Sequence, residues 1–298
     1  MINFFLLPKI KMFIFFKKIY IIFNLLYLYV YLFLTPIFSY FIQNSNNMKK
    51  YFFINYFDRM NNTSEKINLY SNINCVTPHK INKEMNLLIL NHTSILDNYV
   101  LSKILSDSKF SWNDIRTISR ISNRSIQNTV LEEHGMFLVS SDLKIDTEKF
   151  ETVWEKWKKS DDTIQIILFP EGTIFNDITK NKEITKSQKY ILKKILKIDN
   201  FENLLFPNIG AYNLIINKLK DQIKNIYDFS ISYTNNNNKR IYNEEVLLDH
   251  LAKNDLKIDV KIDSYDVNQV IKDPYWLFKI WKAKDDWLNE VENEVEKK

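Results

Sequence analysis

The sequence predicts an α/β fold, a mixed sheet flanked by helices, set behind an N-terminal membrane helix. Three observations predict it. Short apolar runs suited to buried strands alternate with stretches of helical period through most of the chain. An uncharged apolar stretch of 23 residues, Ile19 to Phe41, stands near the N-terminus. Two compact polar strings, Asn91 to Asp97 and Phe169 to Thr173, each follow one of the apolar runs, where open α/β sheets carry their ligands.

The elements are justified in chain order. Residues 1–43 read as a hydrophobic anchor, since about 20 apolar residues cross the hydrocarbon core. Lys17 and Lys18 precede the stretch as they would in a signal peptide, but no small-residue cleavage pattern follows, and the first alanine is Ala211. Pro36 allows a second shape, a dip into one leaflet and back. Lysines flank both ends and leave orientation open. Residues 44–84 form a polar, Asn-rich connection that closes at the Pro78 turn.

Residues 85–266 form the main domain. Its strands are expected at Asn86 to Leu90, Ile115 to Ile118, Met136 to Val139, Ile164 to Phe169, Leu204 to Phe206 and Phe229 to Tyr233. Helices are expected over Ile95 to Leu105 and Phe150 to Trp157. The Asn235 to Asn238 tract with Lys239 and Arg240 reads as a surface insertion. Residues 267–298 form an amphipathic helical tail, with Trp276, Leu277, Ile280, Trp281, Trp287 and Leu288 on its apolar side. Packing on the domain suits that stripe better than lying on a membrane.

His92 and Asp97 are the candidate catalytic residues. Five positions apart on one helix they would not share a face, so they meet only if a helix begins between them. Ser94 supplies such a start as N-cap, and Asp97 three residues on completes a capping box. An imidazole near neutrality can take the proton of an alcohol attacking an acyl carbon, and a carboxylate on its other nitrogen fixes the tautomer. The bland alternative is a loop histidine beside a capping carboxylate. In Phe169-Pro170-Glu171-Gly172-Thr173, Gly172 permits close backbone approach to a ligand, and the Gly172 and Thr173 amides could donate to an oxyanion. Its bland alternative is a tight turn with a solvated Glu171.

Composition removes several function classes. One cysteine, Cys75, excludes a disulfide framework and a cysteine-rich metal site. His79, His134 and His250 lack metal-ligand spacing, so neither a metal nor a resident cofactor is expected. No Gly-x-Ser-x-Gly elbow marks a hydrolase. The net charge of +5 comes from scattered lysines, which suits an anionic lipid surface rather than nucleic acid.

With both strings in order, the chain resembles the glycerolipid acyltransferase family. Asn91, His92 and Asp97 meet its first motif, and Phe169 to Thr173 its third. Tyr227 to Tyr233, and Trp276-Leu277 with Trp281, Lys284 and Asp285, look like the branch that holds lysocardiolipin acyltransferases. The resemblance runs from about Met85 to the C-terminus. It implies His92 as base, Asp97 as its partner, and an acceptor site built from Asn91, Phe169, Pro170, Glu171, Gly172 and Thr173. It further implies acyl-coenzyme A as co-substrate, a lysophospholipid or lysophosphatidate acceptor, and a place on an endomembrane bilayer. Three positions depart from the family: Ser141, Ile174 and Asn208 stand where arginines are usual. Losing three cations disfavours a free phosphomonoester acceptor, unless Lys144 or Lys180 compensates. That loss motivates a second reading, a non-catalytic lipid-binding scaffold on the same fold, and a transacylase that needs no coenzyme A stands between the two.

Overall fold

The computed structural model describes residues 3–41, 59–75, 81–110, 114–121, 128, 131–132, 136–140, 142–157, 164–180 and 185–293. Within the first helix, side chains are placed at 12–28, 30, 31 and 34. Pro78, His79, His134, Gly135 and Ser141 lie outside the described residues.

Among the described residues, seven strands form one sheet: β1 (Ile73–Cys75), β2 (Asn86–Leu90), β3 (Ile115–Arg120), β4 (Phe137–Val139), β5 (Gln165–Leu168), β6 (Asn225–Asn235) and β7 (Leu256–Asp266), in the order β1-β7-β6-β2-β5-β3-β4. Neighbours pair in parallel except β6 with β7, so the sheet is mixed as expected. β2 and β5 are buried along their whole length, which is why they read as unbroken apolar runs rather than alternating ones.

Alternate residues of β2 serve opposite faces. Leu88 and Leu90 join one core with α1 (Asn3–Phe41), α2 (Asp97–Asp107) and the strand residues Phe229, Ile231 and Tyr233. Leu87 and Ile89 join the other core, covered by α3 (Leu143–Trp157), by α6 (Ile209–Leu219) and by the tail helix α9 (Trp276–Asn293). Further helices are α4 (Asp177–Lys180), α5 (Lys186–Tyr190, widening into a π-helical stretch to Leu196), α7 (Glu244–Lys253) and α8 (Val267–Val270), and helical turns also cover residues 59–66 and Tyr70–Asn72.

Several expectations are corrected. Leu204 to Phe206 is a loop, because its neighbourhood spends its amides on carboxylates: Glu202 and Asn203 donate to Asp285, and Leu205 to Glu171. β1 lies inside the stretch read as a polar connection, and it extends the sheet's edge. Arg240, read as part of a surface insertion, is buried; it donates to the Asn203 carbonyl and lies over the Phe175 ring. The tail does pack on the domain, with Trp281 fully buried.

α1 is one continuous 39-residue helix that passes Pro36 without a break. Among the described residues, no helix is long and apolar enough to cross a membrane. Ile21, Leu25 and Leu28 form a stripe at helical spacing buried in the core, and Lys18 pairs with Asp249 of α7 at 2.7 Å. Phe13, Phe16 and Phe23, on the other side, are exposed.

Candidate active site

Adjacent parallel strands deliver both strings to one sheet edge. β2 and β5 run side by side with Ile89 opposite Leu168. His92 and Glu171 each lie three residues further along, so the register alone sets them level. The edge is the carboxyl end of the strands, where the polar groups of α/β sheets converge.

His92 and Asp97 meet. His92 Nδ1 lies 2.9 Å from Asp97 Oδ2. The imidazole rests against Phe169, with ring centroids 4.5 Å apart. The helix begins between the two, although at Asp97 rather than at Ser94: Leu96 occupies the N-cap position without a side-chain cap. The cap is divided instead. Ser94 Oγ accepts from Leu96 N at 3.0 Å, while Asp97 Oδ2 accepts from Ser94 N at 3.0 Å and Thr93 N at 2.8 Å.

A carboxylate facing Nδ1 fixes the proton there and leaves the Nε2 lone pair to act as base. Burial of the ring opposes its protonation. The hydrogen bond and charge of Asp97, with the charges of Glu171 and Glu244, outweigh burial and hold His92 above its ordinary value of 6.5.

Two residues that pattern reading missed complete the pair's surroundings. Tyr233 on β6 is fully buried and donates to Asp97 Oδ1 at 2.7 Å. Glu244, at the start of α7, accepts from Ser94 Oγ at 3.0 Å. The signal for Tyr233 was a polar-tipped aromatic on a strand face it shares with Phe229 and Ile231, since a buried phenol needs a partner. Glu244 offered none, being one acid of two in a helix's first turn.

The second string departs from both of its readings, from the bland one at Glu171 and from the functional one at Gly172. Glu171 is not solvated; it is 8% exposed, and its oxygens accept from His92 N at 2.9 Å and Leu205 N at 3.1 Å. Gly172 has φ +67° and open space where a Cβ would stand, so the backbone conformation demands glycine, not a close approach. The Gly172 amide is spent on the Phe169 carbonyl at 3.0 Å, which removes it as an oxyanion donor. Asn91 is buried, and its amide bonds both main-chain groups of Ile231, extending the join of β2 to β6 by one step. It ties the sheet at the catalytic string's first residue.

Beside the turn lies a cavity of about 580 Å³ whose walls include Arg120, Gly172, Thr173, Lys180 and Asn208. A smaller, mainly apolar cavity borders it, walled by Ile118, Val139, Leu168, Phe169, Pro170 and Leu214, with Arg120 and Asp146 also on its wall. Asn208, at one arginine position, caps α6 by accepting from Gly210 N at 2.9 Å. Cys75 stands exposed on the edge strand β1, three strands from β2, and His250 is paired with Asp255 at 3.0 Å.

Several known proteins are similar to this chain. A family model described as Acyltransferase matches residues 72–233, from just before β1 to Tyr233. The mouse 1-acyl-sn-glycerol-3-phosphate acyltransferase epsilon is 23% identical over 252 residues, covering 82% of this chain and 65% of that protein. The 2-acyl-1-lysophosphatidylinositol acyltransferase of Saccharomyces cerevisiae is 31% identical over 153 residues, 47% of this chain and 36% of that protein. Lysophosphatidylinositol acyltransferase 10 of Caenorhabditis elegans is 26% identical over 157 residues, 51% of this chain and 38% of that one. The chain thus spans from about a third to about two thirds of these relatives' lengths. Among solved structures, the 1-acyl-sn-glycerophosphate acyltransferase of Thermotoga maritima superposes with a TM-score of 0.46 at 14% identity, over 93% of this chain and 98% of that one.

Proposed function

The chain belongs to the acyltransferase family of glycerolipid-acylating enzymes, and on that footing we propose that it moves an acyl chain from acyl-coenzyme A to the free hydroxyl of a lysophospholipid. One observation carries the reading, the 2.9 Å contact of His92 Nδ1 with Asp97 Oδ2 at the edge shared with the Pro-Glu-Gly turn. His92 Nε2 takes the hydroxyl proton as the oxygen attacks the thioester carbonyl. A C–O bond forms, the C–S bond breaks, and the proton passes to the departing thiolate. A thioester leaves readily, so no serine or cysteine nucleophile is required.

The acceptor's phosphate faces Arg120 and Lys180, the cations in the wall of the larger cavity. Ile174 and Asn208 replace two family arginines, which favours a phosphodiester, singly charged, over the phosphomonoester of lysophosphatidate. The apolar cavity beside Phe169 and Leu168 suits the acyl chain. The exposed aromatic face of α1 suits a bilayer surface, from which both substrates arrive.

The test is radiolabelled acyl-coenzyme A offered to the purified chain with a panel of lysophospholipids and lysophosphatidate, beside a His92→Ala control. Transfer that disappears in the variant supports the reading; full transfer by His92→Ala ends it. The missing arginines motivate a second reading, a lipid-binding scaffold on the same fold, and binding without coenzyme A release from any acceptor would select it. Turnover in liposomes lacking the thioester would select transacylation.

A further inference from the structure

We propose that Glu171 is a positioning residue that clamps the catalytic loop to the loop before α6, rather than a ligand of the acceptor. The proposal rests on the acyl-transfer reading for its kinetic test and on geometry for its substance. Glu171 turns inward, and each carboxylate oxygen takes one main-chain amide, His92 N on one side and Leu205 N on the other. These amides belong to segments far apart in sequence. A carboxylate is well suited to join them, since both of its ends accept hydrogen bonds.

The clamp is anchored behind. The Leu205 carbonyl accepts from Trp281 Nε1 at 2.9 Å, and Asp285 accepts from Glu202 N at 2.9 Å and Asn203 N at 2.7 Å. Both side chains project from α9, so the tail helix fixes the loop that Glu171 grips. Main-chain bonds secure the string from its other end: Phe175 N donates to the His92 carbonyl at 2.7 Å, and Asn208 N to the Pro170 carbonyl at 2.8 Å. His92 is therefore held at its amide by Glu171, at its carbonyl by Phe175 and at its ring by Asp97.

Burial pushes the Glu171 carboxyl up to about 7, against the two amides and the charges of His92 and Lys284, which pull it down. A carboxylate desolvated to that degree is retained for what it accepts. Glu171 also borders the larger cavity beside Arg120 and Lys180, but each of its oxygens is already engaged by a main-chain amide.

The test compares the full-length wild type with Glu171→Gln, which keeps the size but turns an amide donor toward one of the two main-chain donors. Under the clamp, kcat falls roughly 10- to 100-fold, as a base displaced by about 1 Å would give. KM for the lysophospholipid stays within about twofold. Hydrogen exchange speeds up at His92 N and Leu205 N. An acceptor ligand behaves oppositely: KM rises about tenfold or more, kcat survives and the two amides exchange as before, and that result overturns the proposal. Should Glu171→Gln not fold, Glu171→Asp retains the charge and loses the reach, with the same split expected. In the unliganded wild type both amides must be protected; rapid exchange there refutes the clamp outright. If the wild type acylates no acceptor, the acyl-transfer reading fails, while protection of the two amides still decides the clamp by itself.

Discussion

A carboxylate offers about four lone-pair sites, and Asp97 is given four donors: His92 Nδ1, Thr93 N, Ser94 N and the Tyr233 hydroxyl. Three crowd onto Oδ2, so Tyr233 alone steadies the other end. Burial and the neighbouring Asp97 push the phenol above its usual range, and it stays a donor at every working pH. Hydrogen bonds to charged groups contribute about 1.5–3 kcal/mol, so Tyr233→Phe should lower kcat by roughly 10- to 100-fold. KM for both substrates should hold, and a KM rise with constant kcat would contradict the assignment. pH supplies a second prediction. If His92 is the base, as proposed, it works only when neutral, and its raised pKa places the acid limb of kcat/KM above 6.5. Glu244→Gln keeps an acceptor for Ser94 Oγ and removes a charge that raises His92, so the limb should move to lower pH; an unmoved limb would remove Glu244 from the site. The same raised value links His92 to stability. Its contribution is complete below 6.5 and is lost as pH rises through the folded-state value.

At the scale of elements, what could be read from sequence was what local pattern determines. β2 and β5 announce themselves because both faces are buried, and the His92–Asp97 pair because a strand exit and a helix entry lie within seven residues. Leu204 to Phe206 was misread because its hydrogen-bond partners, Glu171 and Asp285, lie far off in sequence. β7 carried a legible signal: apolar Leu256, Ile258, Val260 and Ile262 alternate in sequence with charged Lys257, Asp259, Lys261 and Asp263, a strand's period, although Asp259 is buried along with its apolar neighbours. Asn208 shows how one position can serve an element in place of the site. It caps α6, at a position where the resemblance implies an arginine. Asn208→Arg should lose about 1 kcal/mol with the cap, lowering Tm by about 3 °C. If the cavity there receives the acceptor's phosphate, the variant should gain turnover with lysophosphatidate relative to a phosphodiester acceptor. Unchanged Tm would mean the cap contributes nothing to folding.

For the whole molecule, the decisive arrangement is α1 lying along the face that also carries α2 and α7. Ile21, Leu25 and Leu28 bind it to that core, and Lys18 pairs with Asp249 on α7, the helix whose Glu244 touches the catalytic loop. The buried stripe accounts for a third or so of the helix circumference; Phe13, Phe16 and Phe23 are 68, 58 and 66% exposed. Large aromatics left open in water cost about 1.5–3 kcal/mol each relative to burial, a debt that a bilayer surface removes. Replacing Phe13, Phe16 and Phe23 together with serine should therefore weaken liposome association by at least about 3 kcal/mol, roughly a hundredfold in partitioning. The inner stripe is untouched, so Tm and the kcat measured with a micellar acceptor should stay close to wild type. Flotation with liposomes at wild-type levels would show that these rings face no membrane and that another surface brings the base to its lipid.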